Sequence, residues 1–224
     1  TAIGRGALTA NTTASSNTAV GSLSLDANTT GENNVSIGYN SLGANTTADN
    51  NTAVGTNALA ANTTGHSLTA AGRNALAANT TGVLNSAFGY YALAANTTGE
   101  NNNAFGRGAL VTNTTSNNNS AFGDYALQAN TAGNNSAFGY RTLYTNSTGT
   151  SNVAVGYKAL YANTTADYNT AVGSGAMMQS TTAQRCVAIG YQAGESLTTG
   201  GFNTLLGYTA GHEITTGYRN VAIG

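Results

Sequence analysis

A glycine recurs at a fixed interval along the whole chain, and this period constrains the fold more than any other feature. The glycines from Gly4 to Gly224 follow one another in steps of 17 residues, apart from one 16-residue step between Gly123 and Gly139. Seventeen residues are too few for a helix pair or a propeller blade. The glycine, asparagine and β-branched content also disfavours one long helix. The period therefore predicts an all-β fold, a parallel β-solenoid (β-roll) of thirteen 17-residue repeats.

Each position relative to this period glycine has its own residue preference. A large apolar residue nearly always precedes the glycine, and leucine usually follows it by four residues. We expect both columns to form apolar ladders in the core, as at Leu59, Leu76, Leu93, Phe88, Phe105 and Phe122. Asparagine lies four residues before the glycine, and we expect its side-chain amides to bond from coil to coil. Alanine lies two residues before the glycine, on the strand face opposite the large apolar residue.

The repeat predicts two short strands and two turns in each coil. Asn-Thr-Ala-Val has the alternation of a strand, and Ala-Leu-x-Ala is a second, weaker strand candidate. The glycine and the Asn-Thr-Thr-Gly stretch supply the turns. The one-residue deletion lies between Gly133 and Asn135. We expect Asn134 in an exposed turn, because a one-residue slip in a strand would move every side chain to the other face.

The last two repeats depart from the pattern. Gly194 and Gly211 replace the leucine, while Leu197 and Ile214 replace the asparagine of Asn-Thr-Thr. We therefore predict regular solenoid repeats over residues 1–190 and variant terminal repeats of the same solenoid, with a different coil shape, over residues 191–224.

Two stretches carry a resemblance to known families. Cys186-Val187-Ala188-Ile189-Gly190 and Asn220-Val221-Ala222-Ile223-Gly224 resemble the head repeats of trimeric autotransporter adhesins. The longer unit, Asn-Thr-Ala-Val-Gly-Tyr-x-Ala-Leu-x-x-Asn-Thr-Thr-Gly, resembles repeats of bacteriophage tail fibres and related bacterial surface fibres. The resemblance covers the whole chain. It implies a trimeric parallel β-roll that is exposed outside a cell or a virion.

The composition supports an assembled fibre and disfavours several other classes. Charged residues make up 7% of the chain and the formal net charge is −1, so we expect no binding to nucleic acid. No apolar run approaches the roughly 20 residues of a membrane span, so we expect no membrane insertion by this segment. Each coil offers only about two large apolar side chains, which is a thin core for 17 ordered residues. We expect homotrimerisation to compensate, with the alanine column packed toward the neighbouring chains.

The sequence offers little catalytic chemistry. The eight carboxylates are scattered along the array, so we expect no catalytic pair, no metal site, no cofactor and no enzyme activity. Cys186 lies in the asparagine column, where we expect a buried, inert thiol; the alternative is a threefold cysteine cluster near a trimer axis. The Asn-Thr-Thr triplets match the glycosylation sequon at Asn11, Asn28, Asn45, Asn62, Asn79, Asn96, Asn113 and Asn163. Glycans one coil apart would collide, so we expect a turn motif instead.

The residue directly after the period glycine is often tyrosine. This tyrosine column comprises Tyr39, Tyr90, Tyr140, Tyr157, Tyr191 and Tyr208. It could cover the turn or, as an exposed stripe, bind a surface such as a cell-surface glycan or another receptor. We therefore predict a structural or adhesive segment of an extracellular fibre. The alternative is an ice-binding solenoid that uses its threonine ladders.

Overall fold

The computed structural model describes all 224 residues, and they form two compact units, residues 1–117 and 118–224. Both units consist of strands and turns without a helix. The first unit contains β1 (Ala2–Ile3), β2 (Thr18–Val20), β3 (Val35–Ile37), β4 (Thr52–Val54), β5 (Thr69–Ala71), β6 (Ser86–Phe88) and β7 (Asn103–Phe105). The second unit contains β8 (Ser120–Phe122), β9 (Ser136–Phe138), β10 (Val153–Val155), β11 (Thr170–Val172), β12 (Val187–Ile189), β13 (Thr204–Leu206) and β14 (Val221–Ile223).

Within each unit, the strands follow chain order and each pairs in parallel with the next. Like residues lie opposite like residues: Ala53 pairs with Ala70 in the first unit, and Ala154 pairs with Ala171 in the second. One strand per coil, repeated in this register, is a parallel β-solenoid. The predicted fold is therefore confirmed.

The second predicted strand, Ala-Leu-x-Ala, is wrong. This stretch is a turn, because Leu59 has φ 53° and Asn57, two residues earlier, has φ 56°. Both values lie in the left-handed region, which a strand does not visit. Its backbone nevertheless bonds to the next coil: the amide of Leu59 donates to the carbonyl of Ala75 at 3.1 Å. Coils are thus joined by hydrogen bonds outside the sheet as well as within it.

The period glycine has two physical reasons to be glycine. Gly139 has φ 134°, which L-residues rarely adopt. A Cβ at this position would lie 2.5 Å from the carbonyl oxygen of Gly156, the equivalent glycine one coil on. The glycines of successive coils therefore approach too closely for any side chain between them.

The leucine ladder is buried as predicted, but the placement of the phenylalanines is wrong. Leu59, Leu76 and Leu93 are fully buried. Phe88 is 37% exposed, and Phe105 and Phe122 are half-buried on the outward side of the sheet.

The strand faces are thus reversed from the prediction, because the central alanine of each strand points inward. This residue is fully buried in most coils, for example at Ala87 and Ala104. The leucine of the same coil already occupies the narrow interior, so only a methyl group fits opposite it. The predicted packing of the alanine column against neighbouring chains is therefore also wrong.

Two asparagine ladders fill the rest of the interior. In the column four residues before the glycine, the Oδ1 of Asn34 accepts the backbone amide of Asn51 at 3.0 Å. Its Nδ2 donates to the carbonyl of Ala48 at 2.8 Å. This column therefore bonds mainly to backbone, and the predicted amide-to-amide ladder lies elsewhere, in the Asn-Thr-Thr column. There, the Nδ2 of Asn79 donates to Oδ1 of Asn62 at 2.9 Å and to the carbonyl of Gly82 at 3.0 Å.

The deletion lies in a turn, as predicted. Asn134 is exposed and outside every strand. Elsewhere the asparagine of Asn-Thr-Thr donates to the carbonyl three residues later, whereas Asn130 donates to the carbonyl of Ala132, two residues later, at 2.6 Å. A one-residue shift of a single acceptor therefore absorbs the missing residue.

The variant repeats keep the strand register but exchange their core side chains. β13 pairs with β12 and β14 in the regular parallel register. Leu205 takes the place of the usual inward alanine and is fully buried, as is Leu197. A Cβ on Gly194 would lie 2.5 Å from Cδ1 of Leu205, and one on Gly211 would lie 2.7 Å from its Cδ2. Leu205 therefore fills the space that leucines at positions 194 and 211 would otherwise occupy.

Candidate functional site

In each unit the outward side of the sheet exposes apolar side chains, and we call it the outer sheet face of that unit. It consists of the residues one and three positions before each period glycine, and none of them is charged. Large apolar residues on it are exposed, including Ile37 and Val54 in the first unit and Val155 and Ile189 in the second. Phenylalanines stack along it, with ring centroids 4.6 Å apart for Phe88 and Phe105 and 4.9 Å apart for Phe122 and Phe138.

The tyrosine column is exposed throughout its length, but only some members meet. Tyr140 and Tyr157 stack with ring centroids 5.7 Å apart, and Tyr191 and Tyr208 stack at 5.3 Å. Tyr39 and Tyr90, in the first unit, are exposed and three repeats apart, so the structure does not bring them together. The column is therefore two pairs and two single residues rather than one continuous stripe.

Beside the first pair lies a group of cations and tyrosines that we did not expect from the sequence. Tyr144 and Tyr161, five residues after their glycines, stack at 5.2 Å. Arg141 lies between the two tyrosine columns, with its guanidinium 5.1 Å from the ring of Tyr140 and 5.2 Å from that of Tyr144. Lys158 occupies the equivalent place one coil on, 5.2 Å from Tyr157. The signal was visible in the sequence, because adjacent repeats carry tyrosine at both positions and a cation two residues after the glycine.

A second ladder alternates aromatic rings and cations near the end of the chain. The guanidinium of Arg185 lies 5.6 Å from the ring of Tyr168 and 5.4 Å from that of Phe202. Arg219 lies 5.9 Å from Phe202 on its other side. The aromatic ring between the two arginines separates like charges while attracting both. These contacts tie four successive coils together and leave the outer parts of Tyr168 and Phe202 exposed.

Seven of the eight sequon asparagines are buried, and Asn11 is half-buried. Asn28, Asn45 and Asn62 have no exposed surface, and their Nδ2 atoms donate to the carbonyl three residues later. The turn-motif prediction is thus confirmed for these residues. The first threonine hydroxyl of the triplet is also engaged, since Thr63 Oγ1 donates to the carbonyl of Thr80 at 3.1 Å. The second threonine of the triplet is exposed, as at Thr64 and Thr81.

Cys186 is buried inside its own coil. Its amide donates to Oδ1 of Asn169 at 2.9 Å, as an asparagine at this position would. Burial raises the pKa of the thiol above its ordinary value, although hydrogen bonding to Asn203 acts in the opposite direction. The buried, inert interpretation is supported, and a cluster of cysteines between chains is not, because the side chain points away from the surface.

Carboxylates from two neighbouring coils come together around one histidine. His212 lies between two of them, with Nε2 3.1 Å from Oε2 of Glu195 and Nδ1 3.1 Å from Oε1 of Glu213. The hydrogen bond to Glu213, followed by that to Glu195, raises the pKa of His212 above its ordinary value. The contact with Glu195 joins the last coil to the coil before it.

Comparison with known proteins adds no relative to this description, since no family model, no curated protein and no solved structure matches the chain. No helix of a length and hydrophobicity suited to crossing a bilayer is present.

Proposed function

We propose that the chain is a structural and adhesive segment of an extracellular fibre, in which three parallel copies pack through their outer sheet faces. The observation that carries the proposal is an uncharged, apolar column, repeated in every coil and exposed on a single chain. The resemblance of the repeats to trimeric surface fibres supports the number of chains and the extracellular setting.

The size of the outer sheet face supports assembly. With about 200 Å² for a whole phenylalanine, the 37% exposure of Phe88 corresponds to about 70 Å² of surface. At a similar value per coil, the seven strands of each unit expose roughly 500 Å². The largest apolar patch of a typical monomer measures about 300–600 Å² and is often functional, so the face of each unit is large enough to be an interaction surface.

The geometry of the face favours threefold packing over a pair. Each strand presents two outward columns, one and three residues before the glycine. Around a threefold axis, each column would meet a different neighbour, and equal coil heights would place like residues at one level. The alanine column, which sequence analysis assigned to this contact, instead forms the inner wall of each coil.

The mass of the assembly tests the proposal. Native mass spectrometry and light scattering should give three times the chain mass at micromolar concentration. Phe88→Glu together with Phe138→Glu should dissociate the trimer, because the carboxylates would be desolvated next to their own copies. The matched control is Thr98→Glu with Thr148→Glu, at exposed turn positions, and it should remain trimeric. A folded monomer of the unmodified chain would refute the trimer, and thermal hysteresis in ice would favour the ice-binding alternative.

A further inference from the structure

The tyrosine column of the second unit contains a gap of one residue. In the last five coils, the residue directly after the period glycine is Tyr140, Tyr157, Ser174, Tyr191 and Tyr208 in turn. The tyrosines on each side of the serine form stacked pairs, with ring planes 11° apart in the first pair and 12° apart in the second. Ser174 therefore interrupts an otherwise regular stack of parallel rings.

The width of this gap matches one ring. A single coil separates the stacked rings by 5.7 Å in one pair and 5.3 Å in the other. At the same spacing, two coils would place the rings of Tyr157 and Tyr191 about 11 Å apart, and a ring midway would lie about 5.5 Å from each, within the range for stacking. Both tyrosines are open to solvent, with Tyr157 51% and Tyr191 46% exposed.

Polar residues lie at and beside the gap. Ser174 occupies the position of the missing ring, and Gln192 follows Tyr191, with its Cγ 3.2 Å from where a Cβ on Gly175 would lie. The ammonium of Lys158 lies 5.2 Å from the ring of Tyr157 and 5.5 Å from that of Tyr161, in cation–π contacts rather than in an ion pair. Aromatic walls with a few polar groups are typical of sites for small ring-shaped ligands.

We propose that Tyr157 and Tyr191 form a slot that binds one pyranose ring of an acidic glycan. The apolar C–H faces of the sugar pack against the two tyrosine rings, its hydroxyls bond to Ser174 and Gln192, and its carboxylate approaches Lys158. The inference deepens the proposed function, because it names what the adhesive segment binds. The slot lies within one chain, so it does not depend on trimer formation.

A defined oligosaccharide array tests the slot, with uronic-acid and sialic-acid glycans beside matched neutral ones, followed by titration of the retained glycans in solution. The acidic glycans should bind more tightly than the neutral ones. Tyr157→Ala should weaken binding about tenfold, the size of one aromatic stacking contact. Ser174→Tyr should complete the stack, fill the slot and abolish binding while the fold is kept. Lys158→Met should remove the preference for acidic glycans.

The matched control is Thr56→Tyr, which adds a tyrosine one coil after Tyr39 in the first unit and should leave binding unchanged. Failure of every glycan on the array to bind, or full binding by Ser174→Tyr, would overturn the proposal. Preferential binding of N-acetyltyrosinamide would do so as well, by assigning the slot to an aromatic side chain of a protein partner. The mass of each sample separates the two proposals. A monomer that binds acidic glycans would support the slot and refute the trimer. A trimer that binds no glycan would support the trimer and refute the slot.

Discussion

The exchange of core side chains between Gly194 and Leu205 predicts strong energetic coupling between these two positions. Leu205→Ala removes a fully buried side chain that also faces Gly211, so it should destabilise the last coils by about 3 kcal/mol. Gly194→Leu should cost a similar amount: about 2 kcal/mol for the overlap with Leu205 and about 1 kcal/mol for a leucine at φ 60°.

The double variant restores the pairing of leucine and alanine found in the regular coils. The loss of stability in the double variant should fall to about 2 kcal/mol. This is the sum of the cost of a leucine at positive φ and the cost of the cavity left beside Gly211. The sum of the single costs is about 6 kcal/mol, so the coupling energy is about −4 kcal/mol.

Hydrogen exchange measures this coupling locally, which suits a repeat array that need not unfold in one step. The amide of Gly207 is a suitable probe, because it donates to the carbonyl of Ile189 at 2.8 Å, next to the exchanged side chains. Each tenfold change in its protection corresponds to about 1.4 kcal/mol. The converse exchange, Leu160→Gly with Ala171→Leu, is the matched control in a regular coil and should show coupling of the same sign. Additive costs within about 0.5 kcal/mol would refute the complementary packing.

Three further outcomes are expected. Leu76→Asp should lower the free energy of unfolding by several kcal/mol, because it buries an unpaired carboxylate, whereas the exposed Glu100→Gln should change it little; equal thermal melts would contradict the inward leucine ladder. Asn79→Ala should lower the free energy of unfolding by about 2 kcal/mol, because Oδ1 of Asn62 and the carbonyl of Gly82 lose this donor. Slower proteolysis of the variant would contradict a stabilising role of the ladder. The raised pKa of His212 means that its protonation stabilises the last coil, fully at pH values below the ordinary histidine pKa and progressively less as the pH rises through the raised value. Exchange of the last coil should therefore be slower, relative to an unfolded reference peptide, at pH 5.5 than at pH 8.5, and His212→Gln should remove the difference.

The period of the sequence was sufficient to predict the fold, because a 17-residue unit without a helix has few ways to repeat. It also located the turn that carries the deletion, since only a turn tolerates a changed length. The buried leucines followed from the assumption that large apolar residues lie inside. The same assumption failed for the phenylalanines, because hydrophobicity alone does not show how wide the interior is.

The last repeats nevertheless contain the information needed to infer the width of the interior. Leu205 is the one large residue in the alanine column, and glycine occupies position 194 of the same coil. This pairing shows that a leucine and an alanine face each other elsewhere, which places alanine inside and its neighbours in the strand outside. The positive φ of the leucines was harder to predict, because leucine has no intrinsic preference for it. Here the burial of the leucine side chain stabilises this backbone conformation.

The hydrogen bonds that join each coil to the next also determine how the chain responds to pulling. A load on one end acts on the terminal coil first, because each coil is held by its neighbour rather than by the whole molecule. Release of one coil frees 17 residues, or about 58 Å of extended chain, in place of the roughly 4.8 Å that the coil occupied in the stack. A segment bound to a surface under shear would thus lengthen in steps of about 50 Å. Each step would dissipate work, while the remaining coils stay folded.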